Sequence, residues 1–294
     1  MAEKKKSMGF DEIMRNLKAG NFSPIYILMG NEAYYIDKIA DYIAENALAP
    51  EERDFNQEIV FGADTTATQI VDMAKGYPMM APRRVIIVKE AQGLKNLEPI
   101  EKYLANPSAT SLIVLCHKNG TIDARKKIIA KAQAVGVVFE SKKLKDYQLP
   151  SFIEGYLKTR KAAIENKAVM MIAEAVGADL SRLTSELEKI LISLPDNDRR
   201  VTPEVVEEQI GVSKDFNSFE LRDAIVNRDV YKANLIIKYF DSNPKAGSLF
   251  SILPLLFNYF QNLMLAYYAP DKRNENSVAE HLNLKSVWGV KDYM

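Results

Sequence analysis

The chain has 294 residues, with 39 Lys+Arg against 39 Asp+Glu, 47% hydrophobic content, 13 Gly and 12 Pro. That profile excludes collagen-like, disordered and disulfide-scaffold classes, and it leaves room for two or three domains of about 100–150 residues. One cysteine, Cys116, and two histidines, His117 and His281, exclude an internal disulfide and a Cys/His zinc site, and a reducing, cytoplasmic compartment fits best; separately, no cofactor is expected.

At the N-terminus, Lys4-Lys5-Lys6 is followed by Phe10-Asp11-Glu12 rather than by an apolar core and a cleavage site, so no signal peptide is expected. The first half then alternates short β-rich runs with helical patterns. Pro24–Met29, Glu58–Phe61, Arg84–Lys89, Ser111–Cys116 and Gly136–Glu140 read as strands. Between them, Tyr35–Asn46 carries Ile36, Ile39, Ala40 and Ile43 on one stripe, and Thr66–Gly76 opens with a Thr66/Gln69 capping box and closes on Gly76. Strands separated by helices imply a mostly parallel sheet covered on both faces, an α/β fold.

After Leu144 the strand signal disappears. Leu149–Thr159, Asn166–Val176, Leu180–Leu194 and Thr202–Ile210 read as amphipathic helices of a small helical domain. A polar break at Gly211–Ser218 precedes longer helices around Phe219–Asn227, Val230–Ser242 and Leu249–Ala269, a third, all-helical domain. The last of these has the length of a membrane span, but Pro254, Asn258, Gln261 and Asn262 would need partners in lipid. A helix buried in the fold or packed against a partner subunit is expected instead.

The neutral total conceals a polar molecule. Residues 118–167 hold twelve Lys/Arg against five acids, whereas residues 31–58 hold eight acids against Lys38 and Arg53 alone. Within the basic run, Arg125, Lys126, Lys127 and Lys131 fall on an expected helix between two strands. They are candidates for a nucleic-acid phosphate path, although a solvated helix face is the commoner origin of such a pattern, and no stacking aromatic occurs before Phe139.

The catalytic motifs are conspicuous by their absence. A strand ending at Gly30 and leading into a helix is where a phosphate-binding loop would sit. Here Gly30-Asn31-Glu32-Ala33-Tyr34-Tyr35-Ile36-Asp37 lacks the further glycines, the lysine and the Ser/Thr of such a loop, and Glu32 would satisfy the helix dipole while repelling phosphate. Val85-Ile86-Ile87-Val88 ends in Lys89-Glu90 rather than in a magnesium-binding acidic pair. No nucleophile elbow occurs, and Cys116 at the end of an apolar strand reads as a buried structural thiol. No intrinsic catalytic site is expected.

One apolar feature stands out. The helix through Ile70, Met73, Ala74 and Tyr77 is broken by Pro78, which leaves Met79-Met80 before Ala81-Pro82-Arg83-Arg84. Two adjacent side chains cannot both continue one stripe, so at least one methionine is exposed or enters an apolar pocket on a partner; the alternative is that both cap the sheet edge. Arg83 and Arg84 either frame such a contact or begin the next strand.

From about Phe22 to the C-terminus these features, taken in order, resemble the delta subunits of the bacterial DNA polymerase III clamp loader. The resemblance rests on Pro24-Ile25-Tyr26-Ile27-Leu28-Met29-Gly30-Asn31-Glu32 with Tyr35-Ile36, on Tyr77 through Val88, on Asp123-Ala124-Arg125-Lys126-Lys127, on Val137-Val138-Phe139-Glu140, and on Gly177 through Ile190. It implies a leader and first helix over 1–20, an AAA+-like α/β domain with a degenerate phosphate loop over 21–145, a helical lid over 146–212 and a helical collar over 213–294. It also implies that the family's collar continues past the point where this chain ends. The implied function is to bind and open the sliding clamp for loading on primed DNA, without nucleotide, alongside other loader subunits joined through the collar. The family's clamp-binding apolar pair falls by position on Met79 and Met80, with Tyr77 and Pro78 beside it. The family often has leucine and phenylalanine there, so two methionines keep apolarity and reach without the aromatic wedge. Arg182 falls where active relatives sense nucleotide, and a helix-surface ion pair is expected for it. Two other readings stay open from the residues alone: a diverged P-loop NTPase or transferase using Gly30–Ile36, and a nucleic-acid adaptor using residues 118–167.

Overall fold

The computed structural model describes residues 8–195, 198–211, 213, 215–243, 249–284, 290 and 293. The expected leader Met1–Ser7 lies outside them, as do Lys291, Asp292 and Met294 of the C-terminal segment. The chain divides into two compact units, Met1–Leu144 and Lys145–Met294.

In the first unit the order is α1 (Phe10–Lys18), β1 (Ile25–Gly30), α2 (Ala33–Asn46), α3 (Pro50–Asn56), β2 (Gln57–Phe61), α4 (Ala67–Lys75), β3 (Arg84–Lys89), α5 (Glu98–Tyr103), β4 (Ser111–Lys118), α6 (Lys127–Val135) and β5 (Val137–Ser141). The five strands form one sheet in the order β2-β3-β4-β1-β5, every pair parallel. The α/β reading of the sequence, a parallel sheet covered by helices, is borne out, as are all five strands. Because strand side chains alternate, β1 sends Ile25, Ile27 and Met29 into one core with α4, α5 and α6, and Tyr26 and Leu28 into a second core with α1 and α2. A strand buried on both faces must be apolar throughout, which is why β1 and β4 read as continuous hydrophobic runs. Each Ile, Leu or Val so buried contributes roughly 1.5–3 kcal/mol before chain entropy is subtracted.

The second unit comprises α7 (Leu149–Thr159), β6 (Ala163–Ile164), α8 (Asn166–Val176), α9 (Leu180–Ser193), β7 (Arg200–Val201), α10 (Pro203–Ile210), α11 (Ser218–Val226), α12 (Val230–Ser242), α13 (Leu249–Tyr267) and α14 (Glu275–His281). Among the described residues, the departure from an all-helical reading is that β6 and β7 pair in parallel over two residues, too short a ladder to leave a periodic trace. Val169, Met171 and Ile172 of α8 and Leu183, Leu187 and Ile190 of α9 supply buried apolar stripes. No helix among the described residues is long and apolar enough to cross a membrane.

Helices α8 and α11 are joined by polar contacts. The Glu220 carboxylate receives both Lys167 of α8 and Lys232 of α12, and Ser218 donates to Glu174. Burial alone would raise the Glu220 carboxyl, but hydrogen bonds from the two lysines outweigh it and hold it below its ordinary value of 4.5. A depressed carboxyl stabilises the fold above the unfolded-state pKa, and that contribution is lost as pH falls through the folded-state value. Glu220→Gln is therefore expected to cost about 1.5 kcal/mol at pH 7 by urea titration. The gap from wild type should close as the pH is lowered from about 4.5 through the depressed value.

Candidate functional site

The turn from Gly30 into α2, where a phosphate loop would sit, is closed by its own chain. Glu32 caps α2, its carboxylate accepting from the Tyr34 N–H at 3.0 Å, and its side chain is buried. The Ser141 hydroxyl donates to the Glu32 carbonyl at 2.7 Å, and the Glu32 N–H donates to the Ser141 carbonyl at 3.3 Å. Gly30 sits between them at φ +135°, where a Cβ would lie 2.0 Å from the Ser141 oxygen. A carboxylate therefore occupies the helix start that would otherwise draw a phosphate, and a second anion there meets repulsion. The nearby lysine is engaged too, since Lys118 pairs with Asp37 at 2.8 Å and with Glu90 at 3.7 Å. The remaining hollow at this end of the sheet, ≈ 340 Å³, is lined by Gly30, Asn31, Asn119, Thr121, Lys142 and Lys143 among others.

The other chemical candidates are structural. Cys116 is buried, and burial pushes its thiol up to about 12, far from a reactive thiolate. His117 lies with Nδ1 3.2 Å from the Gly120 carbonyl. No group of three or more His, Cys, Asp or Glu that could hold a metal occurs among the described residues.

The basic candidates do not share one helix face. Helix α6 begins at Lys127, so Arg125 and Lys126 precede it, contrary to the reading from sequence. The cause is Asp123: its carboxylate accepts from the Arg125 N–H at 2.9 Å and pairs with the Arg125 guanidinium at 2.7 Å, a local turn that delays the helix. Lys131 turns away to Glu101 at 3.2 Å. Arg182 is exposed on α9 and forms no ion pair among the described residues, so the expected pair is absent.

The apolar tip is built differently. Helix α4 ends at Lys75 with Gly76 as C-cap, and its expected capping box is present, Gln69 and Thr66 exchanging hydrogen bonds at 2.9 and 3.3 Å. Ile70 and Ala74 pack inward, but Tyr77 does not continue that stripe: it is 89% exposed. Beyond Pro78, Met79 is 61% and Met80 100% exposed, which excludes the reading in which both cap the sheet edge. Met80 holds φ +50°, a left-handed conformation that costs a non-glycine residue about 1 kcal/mol or more. The loop is tied to α3, where Asn56 accepts from the Met79 N–H at 2.6 Å and donates to the Met79 carbonyl at 3.0 Å. Phe55, beside Asn56 in the chain, is also exposed. The two arginines are committed within the unit: Arg84 pairs with Glu58, and Arg83 stacks 4.6 Å from the Phe22 ring.

Asn56, which holds the Met79 backbone, is a part of the candidate site that the sequence did not reveal. An asparagine at the end of a short helix is an ordinary turn residue, and its partner lies 23 positions away.

Residues 26–142 match the sequence family described as DNA polymerase III, delta subunit, a span that contains both the closed loop at Gly30 and the Met79–Met80 tip. The chain is 25% identical over 288 residues to DNA polymerase III subunit delta of Bacillus subtilis (strain 168), covering 94% of this chain and 82% of that one. The solved Bacillus subtilis DNA clamp loader delta protein superposes with a TM-score of 0.60 at 24% identity, over 97% of this chain and 86% of the other.

The closed loop has a measurable consequence. Glu32→Ala removes the α2 cap and is expected to cost about 1 kcal/mol in a urea titration. Calorimetric titration of the wild type with ATP and magnesium is expected to be flat.

Proposed function

Taking as premise that this chain belongs to the DNA polymerase III delta-subunit family, we propose that it binds the sliding clamp through Met79 and Met80 and biases the clamp ring toward its open form for loading on primed DNA. The observation that carries this reading is the exposure of both thioethers on a loop tied to the sheet domain. Fully burying two methionine side chains on a partner supplies on the order of 3–6 kcal/mol before ordering costs. A tip that fits the open interface better than the closed one shifts the ring by that difference in affinity and by no more. The bias requires no chemistry in this chain, and the energy of nucleotide hydrolysis enters through partner subunits.

Assembly with those partners is proposed to run through the C-terminal helices, with 146–212 as lid and 213–294 as collar. Helix α13 supports this. Its buried side, with Ile252, Tyr259 and Ala266, packs within the second unit, while Phe250, Leu253, Phe257, Phe260, Met264 and Tyr267 are exposed. Those six alternate at spacings of three and four, the a/d seam of a helix that docks along another helix. In this reading DNA is held by the assembled complex, with Arg125, Lys126, Lys127 and Lys131 as subsidiary phosphate contacts at most.

Two measurements test the proposal. Met79→Ala/Met80→Ala is expected to weaken binding to the purified sliding clamp about 100-fold by calorimetry, a loss of about 2.7 kcal/mol. Equal affinity of variant and wild type would reject the clamp reading. Phe257→Asp is expected to abolish co-elution with partner loader subunits while the isolated chain keeps its melting temperature within a few degrees, because that side chain is exposed. Retained co-elution would reject the α13 seam.

A further inference from the structure

A primary carboxamide offers two N–H donors and a carbonyl acceptor in a fixed plane. Asn56 uses all of them. Its Nδ2 donates to the Met79 carbonyl at 3.0 Å and to the Glu52 carbonyl of its own helix at 2.9 Å, and its Oδ1 accepts from the Met79 N–H at 2.6 Å. The side chain is 1% exposed. It presents to Met79 a donor and an acceptor side by side, as a neighbouring strand would, while the bond to Glu52 fixes the amide plane against α3.

Beyond Asn56 the loop is held by side-chain contacts, Ala81 packed against the core beneath α1 and α2 and Arg83 over the Phe22 ring, and not by its own backbone. Among the described residues, 77–83 form no main-chain to main-chain hydrogen bond; the nearest lie at its ends, Gly76 N–H to Met73 at 3.2 Å and Arg84 N–H to Thr110 at 2.7 Å. Pro78 and Pro82 can donate none. In the middle sits Met80, wholly exposed and with φ +50°, a conformation that its own side chain does not favour and that needs an outside constraint.

We infer that Asn56 is the positioning residue of the clamp-binding tip, fixing the Met79 backbone so that both thioethers are presented before the partner arrives. The inference rests on the clamp reading above. The buried amide removes alternative backbone states of the free loop, and each of those states would otherwise dilute the binding-competent one and weaken the apparent affinity by the same fraction. Other side chains do this poorly. Aspartate keeps the acceptor for the Met79 N–H but sets oxygen against the Met79 and Glu52 carbonyls, and alanine removes all three bonds.

The test is a double-mutant cycle with the purified sliding clamp as probe, together with hydrogen exchange of the free chain. Asn56→Ala is expected to weaken clamp binding about tenfold in the wild-type background and not at all in the Met79→Ala/Met80→Ala background, since no tip remains to be positioned. The Met79 amide should be protected in the free wild type and exchange at least tenfold faster in the variant. If Asn56→Ala does not fold, Asn56→Asp carries the same cycle with the same coupling expected. A clamp affinity that falls with the methionine pair but not with Asn56→Ala would overturn this inference alone, as would an equal loss in both backgrounds, which marks a merely structural role. An affinity indifferent to the methionine pair would overturn the clamp reading and this inference with it.

Discussion

A parallel sheet must be covered on both faces, and that constraint decides where the first unit can meet anything else. With β1 and β4 enclosed by two helix layers, their apolar side chains are consumed by the two cores. What remains for function is the two rims of the sheet, where strands enter and leave. All five strands run the same way, so the rims are chemically distinct: one gathers carboxyl ends and the following helix starts, the other gathers the loops that lead into strands. In open α/β folds the carboxyl rim is the customary place for ligands. Here that rim is occupied by the protein itself, with Glu32 on the start of α2 and Ser141 bonded across to it.

The Met79–Met80 tip belongs to the opposite rim, since it precedes β3 by four residues, and Asn56 directly precedes β2. A six-residue strand is about 20 Å long, which sets the scale of separation between the tip and the closed loop. For the clamp-opening role proposed above, the placement has a mechanical meaning. β2 and β3 are joined by a five-residue parallel register from Gln57–Val85 to Phe61–Lys89, so a load applied at the tip passes into two strands hydrogen-bonded to each other. One enters through the chain itself and the other through the Asn56 amide. A loop fastened at only one point would bend instead of transmitting force.

Most of the architecture was legible because it is periodic. Five β-branched runs and the stripes of α2, α4 and α7 to α10 repeat often enough for local pattern to dominate. Where the structure departs from sequence, repetition is missing. Helices α3 and α5 span seven and six residues, fewer than two turns, and the β6–β7 ladder has two residue pairs. The basic helix begins late because one carboxylate, Asp123, prefers a local turn. The tip shows the same division. Its composition, a proline followed by two methionines, is visible in the chain, but its support is a side-chain to main-chain bond across 23 residues that leaves no periodic trace. The absence of a phosphate loop was legible for the opposite reason, because a loop that holds a triphosphate needs many particular residues at once, and their joint absence is itself informative.

The use of methionine at the tip carries its own energetic logic. An unbranched thioether adapts to the shape of a pocket, but its three rotatable bonds mean that burial costs about 1.5–2 kcal/mol of rotamer entropy per side chain, more than for leucine. Against roughly 1.5–3 kcal/mol gained by burying each methionine, that cost is large. Ordering a backbone residue costs a further 1–2 kcal/mol, so a floppy loop bearing two methionines would gain little net affinity. Holding Met79 at both its N–H and its carbonyl in the free protein shifts much of that backbone cost from binding to folding, where the sheet and its helices absorb it. In the proposed clamp contact, flexible side chains on a fixed backbone would thus retain adaptability while keeping the entropic cost of association low enough for a two-residue tip to matter.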